Sequence, residues 1–82
     1  MKAHDLLDRI TSSPNILAGK PVIKGTRLSV EFVLSLLANG SSTVEIISEY
    51  DGLSAEDIRA CLLFAANSLA DASFMPLVAQ SP

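Results

Sequence analysis

The chain has 82 residues, which is enough for one small domain. Apolar residues make up 49% of it and aromatic residues only 5%, so we expect a helical core of Leu, Ile, Val and Ala. The single cysteine excludes an internal disulfide, and no apolar run approaches the roughly 20 residues of a membrane span, so the sequence predicts a soluble, cytoplasmic protein.

The charge is distributed unevenly along the chain. Residues 1–30 carry five cations and two acids, a net charge of +3, whereas residues 31–82 carry one cation and seven acids, a net charge of −6. This asymmetry indicates either a charged partner for one half of the chain or two ordinary solvated surfaces.

Residues 1–29 are predicted to form an N-terminal segment of strand and turns. The stretch DRIT, residues 8–11, is typical of a short strand, and the turn chemistry of TSSPN follows directly. In PVIKGTRLSV, residues 21–30, β-branched side chains flank Lys24-Gly25. This pattern predicts either a strand bent at Gly25 or a tight hairpin.

Residues 30–72 are predicted to form a bundle of three helices. The first begins after Ser29 as the N-cap and ends at Asn39-Gly40, and its apolar residues recur with helical spacing at positions 30, 33, 34 and 37. The second begins after Ser42, where Glu45 three residues on completes a capping box, and it ends at Asp51-Gly52.

The third helix is predicted to begin after Ser54 and to run to about Ala72. Its inner stripe is predicted to be Ile58, Cys61, Leu62, Ala65 and Leu69, and its outward positions Glu56, Arg59, Ala60, Leu63 and Asn67. Residues 73–82 form an apolar tail interrupted by Pro76. We therefore expect a single, mainly α domain over residues 1–82.

The stretch AGKPVIKGTRLSV, residues 18–30, combines Gly, Lys and Thr in a way that suggests phosphate binding. It is not a P-loop, because Pro21 follows Gly19-Lys20 and no glycine stands five residues earlier. Two interpretations remain open. The stretch is a structural turn at Lys24-Gly25, or it is an arm that presents Lys20, Lys24 and Arg27 to phosphates.

The second and third helices, joined by a short turn that contains Gly52, match a helix-turn-helix layout. The start of the third helix would then lie in the major groove of DNA. Two acids stand at this start, and only Arg59 and Asn67 have side chains suited to reading base edges. The pattern therefore predicts a helix-turn-helix-like fold in which this helix is poorly suited to read DNA.

The segment ACLLFAA, residues 60–66, is apolar nearly all round, which is typical of a helix covered on every side. We expect a second copy or a partner protein to cover it, although the N-terminal segment or the tail is an alternative cover. The candidate interface residues are Leu63, Phe64, Asn67, Phe74, Met75 and Leu77.

Catalysis finds little support in the sequence. His4 is the single histidine, Cys61 lies on a predicted helix stripe, and no set of Cys and His residues has the spacing of a zinc site. We expect no enzyme activity, no metal, no cofactor and no small-molecule substrate.

The stretch GKPVIKGTRLSV, followed by the block ANGSSTVEIISEYDGLSAEDIRACLLFAA, closely resembles the small bacterial proteins grouped as domain of unknown function 433. The resemblance covers about residues 9–70. Its specific parts are Gly19-Lys20-Pro21, Gly25-Thr26-Arg27, Gly40, Leu53 and Asp57-Ile58-Arg59. This chain has Asp51 where the family often has Pro, and Phe64 where it often has Tyr.

The resemblance implies a homeodomain-like fold of three helices, preceded by a short β element. It also implies an antitoxin that is encoded beside a PIN-like ribonuclease toxin and binds its own promoter. We expect such a protein to act as a homodimer. Carried over to this chain, the candidate DNA contacts are Lys20, Lys24, Thr26, Arg27 and Arg59. The alternative function is a protein-interaction module that does not bind DNA.

Overall fold

The structure is a computed structural model that describes residues 3–70. This part of the chain is mainly α-helical, with a short antiparallel sheet of two strands near its start. The tail residues Phe74, Met75 and Leu77 lie outside the described residues. The elements, in chain order, are α1 (Ala3–Leu7), β1 (Ile10–Thr11), a tight turn (Leu17–Gly19), β2 (Val22–Ile23), α2 (Val30–Ala38), α3 (Thr43–Glu49) and α4 (Ala55–Ala70).

The N-terminal β element consists of three short segments. β2 and the segment that leads into α2 form a hairpin, and β1 pairs with the other edge of β2. β1 and β2 pair antiparallel, with Ile10 opposite Ile23. On its other edge β2 meets the segment that leads into α2, where Ile23 N–H donates to the Leu28 carbonyl (3.0 Å) and Val30 N–H to the Pro21 carbonyl (3.0 Å). The hairpin prediction is therefore confirmed, and the bent-strand alternative is wrong.

The hairpin turn depends on Gly25. Thr26 N–H donates to the Ile23 carbonyl at 3.0 Å, which closes a β-turn with Lys24 and Gly25 at its centre. Gly25 has φ +80°, a conformation that glycine adopts without strain at the third position of a type II turn.

The three predicted helix starts are confirmed. The Ser29 hydroxyl accepts the Phe32 N–H at 2.9 Å, as an N-cap does. At α3 the capping box is complete, because Ser42 N–H donates to Glu45 Oε1 (2.8 Å) and Glu45 N–H donates to Ser42 Oγ (3.1 Å). These short-range bonds fix the residues at which α2 and α3 begin.

The start of α4 is capped in the same way and is also tied to the N-terminal segment. Ser54 N–H donates to Asp57 Oδ2 (3.0 Å), and Asp57 N–H donates to Ser54 Oγ (3.2 Å). Arg9 Nη1 donates to the other carboxylate oxygen, Asp57 Oδ1, at 3.0 Å. One buried carboxylate therefore completes a helix cap and an ion pair.

The core lies where the hairpin and helices α2, α3 and α4 meet. Its buried residues are Ile23, Val30, Val33, Ile46, Leu53, Ile58 and Cys61. The short helix α1, which the sequence reasoning missed, packs against α4 and buries Leu6. Its five residues are too few for a helical period to be recognised in the sequence.

The predicted inner stripe of α4 is partly wrong. Leu62 and Leu69 are exposed, whereas Ala60, predicted to face outward, is fully buried. The helix has 16 residues, about 24 Å, whereas α2 has 9 and α3 has 7, and its C-terminal half lies across an open groove from α2. At its N-terminal half, α1 and β1 also pack against α4, so more than one face is covered there.

Candidate functional site

The lysine and arginine residues predicted to contact phosphates lie in different parts of the structure. Lys20 Nζ lies 3.0 Å from Glu31 Oε1, so its charge is already paired with α2. Lys24 borders a polar cleft that it shares with Asp5, Asp8 and Asp57. The three lysine and arginine side chains of the stretch 18–30 therefore do not have a common set of neighbours.

Thr26 has a structural role in the hairpin turn. Its hydroxyl donates to the Ile23 carbonyl at 2.8 Å and accepts the Leu28 N–H at 3.0 Å. A hydroxyl that already makes both bonds has one lone pair left for a ligand. The turn packs near the connection between α3 and α4, where a Cβ built on Gly52 would lie 4.0 Å from Thr26 Cγ2.

Arg59 is exposed on the first half of α4. Asp57, one of the two acids at the start of this helix, is buried and paired with Arg9. The remaining acid at this end of α4, Glu56, is half-buried. The start of α4 is therefore less acidic at its surface than the sequence alone indicates.

Arg27 borders a small hollow beside the Leu17–Gly19 turn. The hollow has a volume of about 300 Å³ and is lined by Leu17, Arg27, Leu28, Ser29 and Phe32. Its surface is mainly apolar. This hollow was not predicted, because it depends on how the turn, the hairpin and α2 pack together.

A larger apolar groove separates α2 from the C-terminal half of α4. The groove has a volume of about 560 Å³, and the Lys20–Glu31 ion pair lies at its rim. Leu69, 69% exposed, projects beside it. We call this feature the α2–α4 groove; it is lined by Pro21, Val30, Glu31, Leu34, Ser35, Ala38, Phe64, Ala65, Ser68 and Leu69.

Of the predicted interface residues in the described part of the chain, one lines this groove and two do not. Phe64 lines the groove and packs against the core, and it is half-buried. Leu63 is also half-buried, and Asn67 is exposed, but neither lines the groove. The residues Leu62 and Leu69, which the sequence reasoning assigned to the inside of α4, are the exposed large apolar side chains of this helix.

The family model for "Protein of unknown function (DUF433)" matches residues 10–65. The chain belongs to the DUF433 family. The match covers the hairpin, α2, α3 and most of α4, and the groove residues Ser68 and Leu69 lie beyond it.

Two relatives of this DUF433 protein agree with the assignment. "Uncharacterized protein y4eO" of Sinorhizobium fredii is 43% identical over 56 residues, which make up 68% of this chain and 25% of that protein. The chain therefore spans about a quarter of the length of this curated relative. The crystal structure of a DUF433 member from Anabaena variabilis superposes with a TM-score of 0.72 at 25% identity, over 82% of this chain and 66% of that one.

The nucleophile and metal-ligand chemistry of this DUF433 protein is limited within the described residues. Burial, with a smaller contribution from nearby Asp57, raises the pKa of the Cys61 thiol from 9.0 to about 11. A thiol with so high a pKa is protonated and unreactive near neutral pH. In residues 3–70 no group of three or more His, Cys, Asp and Glu side chains is arranged to hold a metal ion.

The helices of residues 3–70 include none that is long and apolar enough to cross a membrane.

Proposed function

We propose that this protein is a non-enzymatic interaction module that acts as a homodimer, and that a second copy of the chain covers the α2–α4 groove. The observation that carries the proposal is the combination of an apolar groove with an exposed leucine beside it. A two-fold interface needs one surface patch that is complementary to itself. Here Leu69 is a projecting apolar side chain and the adjacent groove is a cavity that such a side chain fits.

Size supports this proposal. A domain of fewer than about 80 residues rarely obtains more than a few kcal/mol from its own core, and association is a common source of additional stability. Leu62 and Leu69 lie seven residues apart, so they lie on nearly the same side of α4. An interface along this side removes both leucines from water.

The test is the solution mass of the full chain. We expect a mass near twice 8.7 kDa in light scattering coupled to size exclusion. Leu69→Glu is expected to give a monomer, because a carboxylate would be buried in an apolar interface. The matched control is Val44→Glu, at an exposed apolar position on α3 that does not line the groove.

A monomeric wild-type chain, or a dimer that survives Leu69→Glu, would refute the proposed interface. Circular dichroism of both variants checks that each is folded. Because the side chain of Leu69 is largely exposed, the substitution is not expected to disturb the core.

The antitoxin role implied by the family resemblance fits such a dimer. In that role the dimer would bind a PIN-like toxin and its own promoter, with α3 and α4 as a homeodomain-like helix-turn-helix. Two observations favour a DNA contact: the hairpin turn with Lys24 lies near the α3–α4 connection, and the Asp57 charge is already neutralised by Arg9. Phosphate contacts by Lys24, Arg27 and Arg59 would supply most of the affinity.

A gel shift with the DNA upstream of the protein's own reading frame tests this second function. We expect retardation at low salt and its loss in the double variant Lys24→Glu, Arg27→Glu. The paired control is Lys20→Glu, because Lys20 is occupied by Glu31 and should contribute less. If wild-type protein causes no shift, the chain is an interaction module without DNA binding.

A further inference from the structure

Helix α2 ends at Asn39 and Gly40 in a Schellman motif. Gly40 N–H donates to the Leu37 carbonyl (3.0 Å), and Ser41 N–H donates to the Leu36 carbonyl (3.0 Å). Gly40 has φ +100°, the left-handed conformation that this motif requires of the residue after the cap. The motif therefore satisfies two carbonyls of the last turn of α2 and fixes the position of the Gly40 amide.

An asparagine followed by glycine is also a chemically reactive pair, because the glycine nitrogen can close a ring with the asparagine side chain. Glycine has no Cβ, so no side chain shields its nitrogen and its backbone rotates easily. Asn39 and Gly40 are both exposed, and the Asn39 side chain makes no hydrogen bond with the described residues. Water and base therefore reach both groups.

The reaction open to this pair is deamidation. The Gly40 backbone nitrogen loses its proton to base and forms a bond to the side-chain carbonyl carbon of Asn39. The bond from that carbon to the side-chain nitrogen breaks, and the nitrogen takes up protons and leaves as ammonia. Water then opens the resulting cyclic imide at one of its carbonyls, which gives aspartate or isoaspartate.

The other two asparagines of the chain are less suited to this reaction. Asn15 precedes Ile16, whose β-branched side chain crowds the adjoining backbone nitrogen. Asn67 precedes Ser68 within α4, where the helix fixes the backbone on both sides of the pair. Asn39 is therefore the asparagine at which the sequence favours ring closure.

The folded backbone nevertheless holds the two reacting atoms apart. Asn39 has ψ 5°, so the Gly40 nitrogen eclipses the backbone nitrogen of Asn39 and does not lie on the side of its Cβ. Ring closure needs a rotation of about 120° about the Cα–C bond, the spacing of substituents around a tetrahedral carbon. That rotation would carry the Gly40 N–H away from the Leu37 carbonyl and break the Schellman motif.

We propose that Asn39 is a spontaneous deamidation site whose rate is set by opening of the Schellman motif at the end of α2. The nucleophile, the electrophile and the leaving group all belong to this chain, and the solvent supplies base and water. Neither Asn39 nor Gly40 lines the α2–α4 groove, so the inference does not depend on the proposed dimer.

Each product weakens the end of α2. An aspartate at position 39 places a negative charge at the negative end of the helix dipole, and the last turn of α2 carries no basic residue. An isoaspartate adds one methylene to the backbone, so the N–H groups of Gly40 and Ser41 lose their register with the helix carbonyls. The modification therefore favours the open state in which it formed.

The test measures deamidation of the full-length chain at mildly alkaline pH, with and without urea. Trypsin places the three asparagines in separate peptides, because cleavage after Arg9, Arg27 and Arg59 divides the chain between them. Mass spectrometry then quantifies aspartate and isoaspartate in each peptide. In urea we expect Asn39 to react fastest, and in the folded chain its rate should be lower by about tenfold or more.

Variants at two positions connect the rate to the motif. Ser41→Pro removes the N–H that donates to the Leu36 carbonyl but keeps the Asn39–Gly40 pair, so deamidation of the folded chain should accelerate. The matched control Ser41→Ala keeps this N–H, and its rate should equal that of the wild type. Asn39→Gln should give no product at position 39, because its longer side chain would have to close a larger ring.

Three results would overturn the proposal. One is an equal rate at Asn39 in the folded and the urea-unfolded chain, and another is faster reaction at Asn15 or Asn67 in urea. The third is an equal rate in Ser41→Pro and Ser41→Ala when circular dichroism shows both to be folded. If Ser41→Pro does not fold, the comparison of folded and unfolded wild type decides the matter.

Discussion

At the scale of single residues, Leu17 and Ala18 have the least favourable backbone conformation of the described residues, because both have a positive φ although they are not glycine. A left-handed φ costs a residue with a Cβ about 1–2 kcal/mol. Glycine avoids this cost, but it makes the unfolded chain more flexible. This lowers the free energy of unfolding by about 0.5–1 kcal/mol relative to alanine. The first effect is the larger one, so glycine should be the better residue at position 18.

We therefore expect Ala18→Gly to raise the free energy of unfolding by about 0.5–1 kcal/mol, measured by urea denaturation. The control is Ala66→Gly at an exposed position inside α4, where the helical backbone suits alanine and the same substitution should lower stability. A loss of stability at position 18 would contradict the left-handed conformation.

Cys61 gives a prediction for alkaline pH. Its pKa is about 11 in the folded chain against 9.0 for an unperturbed thiol. Above about pH 9 the unfolded chain loses this proton and the folded chain retains it, so ionisation favours unfolding until about pH 11. The stabilising contribution is thus fully present below pH 9 and is lost as the pH rises through this range.

The measurement is the free energy of unfolding of the wild type and of Cys61→Ala between pH 8 and pH 11. The wild type is expected to lose more stability over this range, because the alanine variant has no thiol to ionise. Parallel curves for the two proteins would mean that the thiol titrates alike in both states.

At the scale of elements, the start of α4 is connected to the N-terminal segment by the Arg9–Asp57 ion pair. The Asp57 side chain is only 9% exposed. A buried carboxylate that loses its counter-ion retains a desolvation penalty, which is reduced here by the remaining Ser54 N–H bond. Arg9→Met keeps most of the side-chain volume and should lower the free energy of unfolding by about 1–3 kcal/mol.

The comparison variant is Lys20→Met, which breaks the Lys20–Glu31 pair. Both of these side chains are largely exposed, so the loss should stay below about 0.5 kcal/mol. Both losses are read from urea denaturation at neutral pH. If the two variants lose equal stability, the Asp57 carboxylate is not buried in the way described.

These elements also mark how far the sequence could predict the fold. The helix starts at Ser29, Ser42 and Ser54 were predictable because each cap and its partner lie three residues apart. The Arg9–Asp57 pair was not predictable, because the two residues lie 48 positions apart and only the folded chain brings them together. Helix α1 was missed because five residues give no measurable period.

At the scale of the whole molecule, the candidate surfaces depend on tertiary packing that no local pattern encodes. The apolar spacing of α4 predicts one inner stripe, but a groove separates the C-terminal half of this helix from α2 and leaves Leu69 exposed. The α2–α4 groove and the hollow at Arg27 each combine residues from separate segments. The sequence identified Phe64 and Arg27 as candidates without indicating their surroundings.

The carboxylate of Asp57 also connects three parts of the domain, so that none of them is expected to unfold locally on its own. Arg9 reaches it with its guanidinium, and the Arg9 carbonyl accepts the N–H of Lys24 at 2.8 Å. If the N-terminal segment detached alone, it would leave the α4 cap with a buried, unpaired charge and the hairpin with a free amide. The amides of Lys24 and Ser54 should therefore exchange their hydrogens with solvent through one shared opening, and the domain should behave as a single cooperative unit.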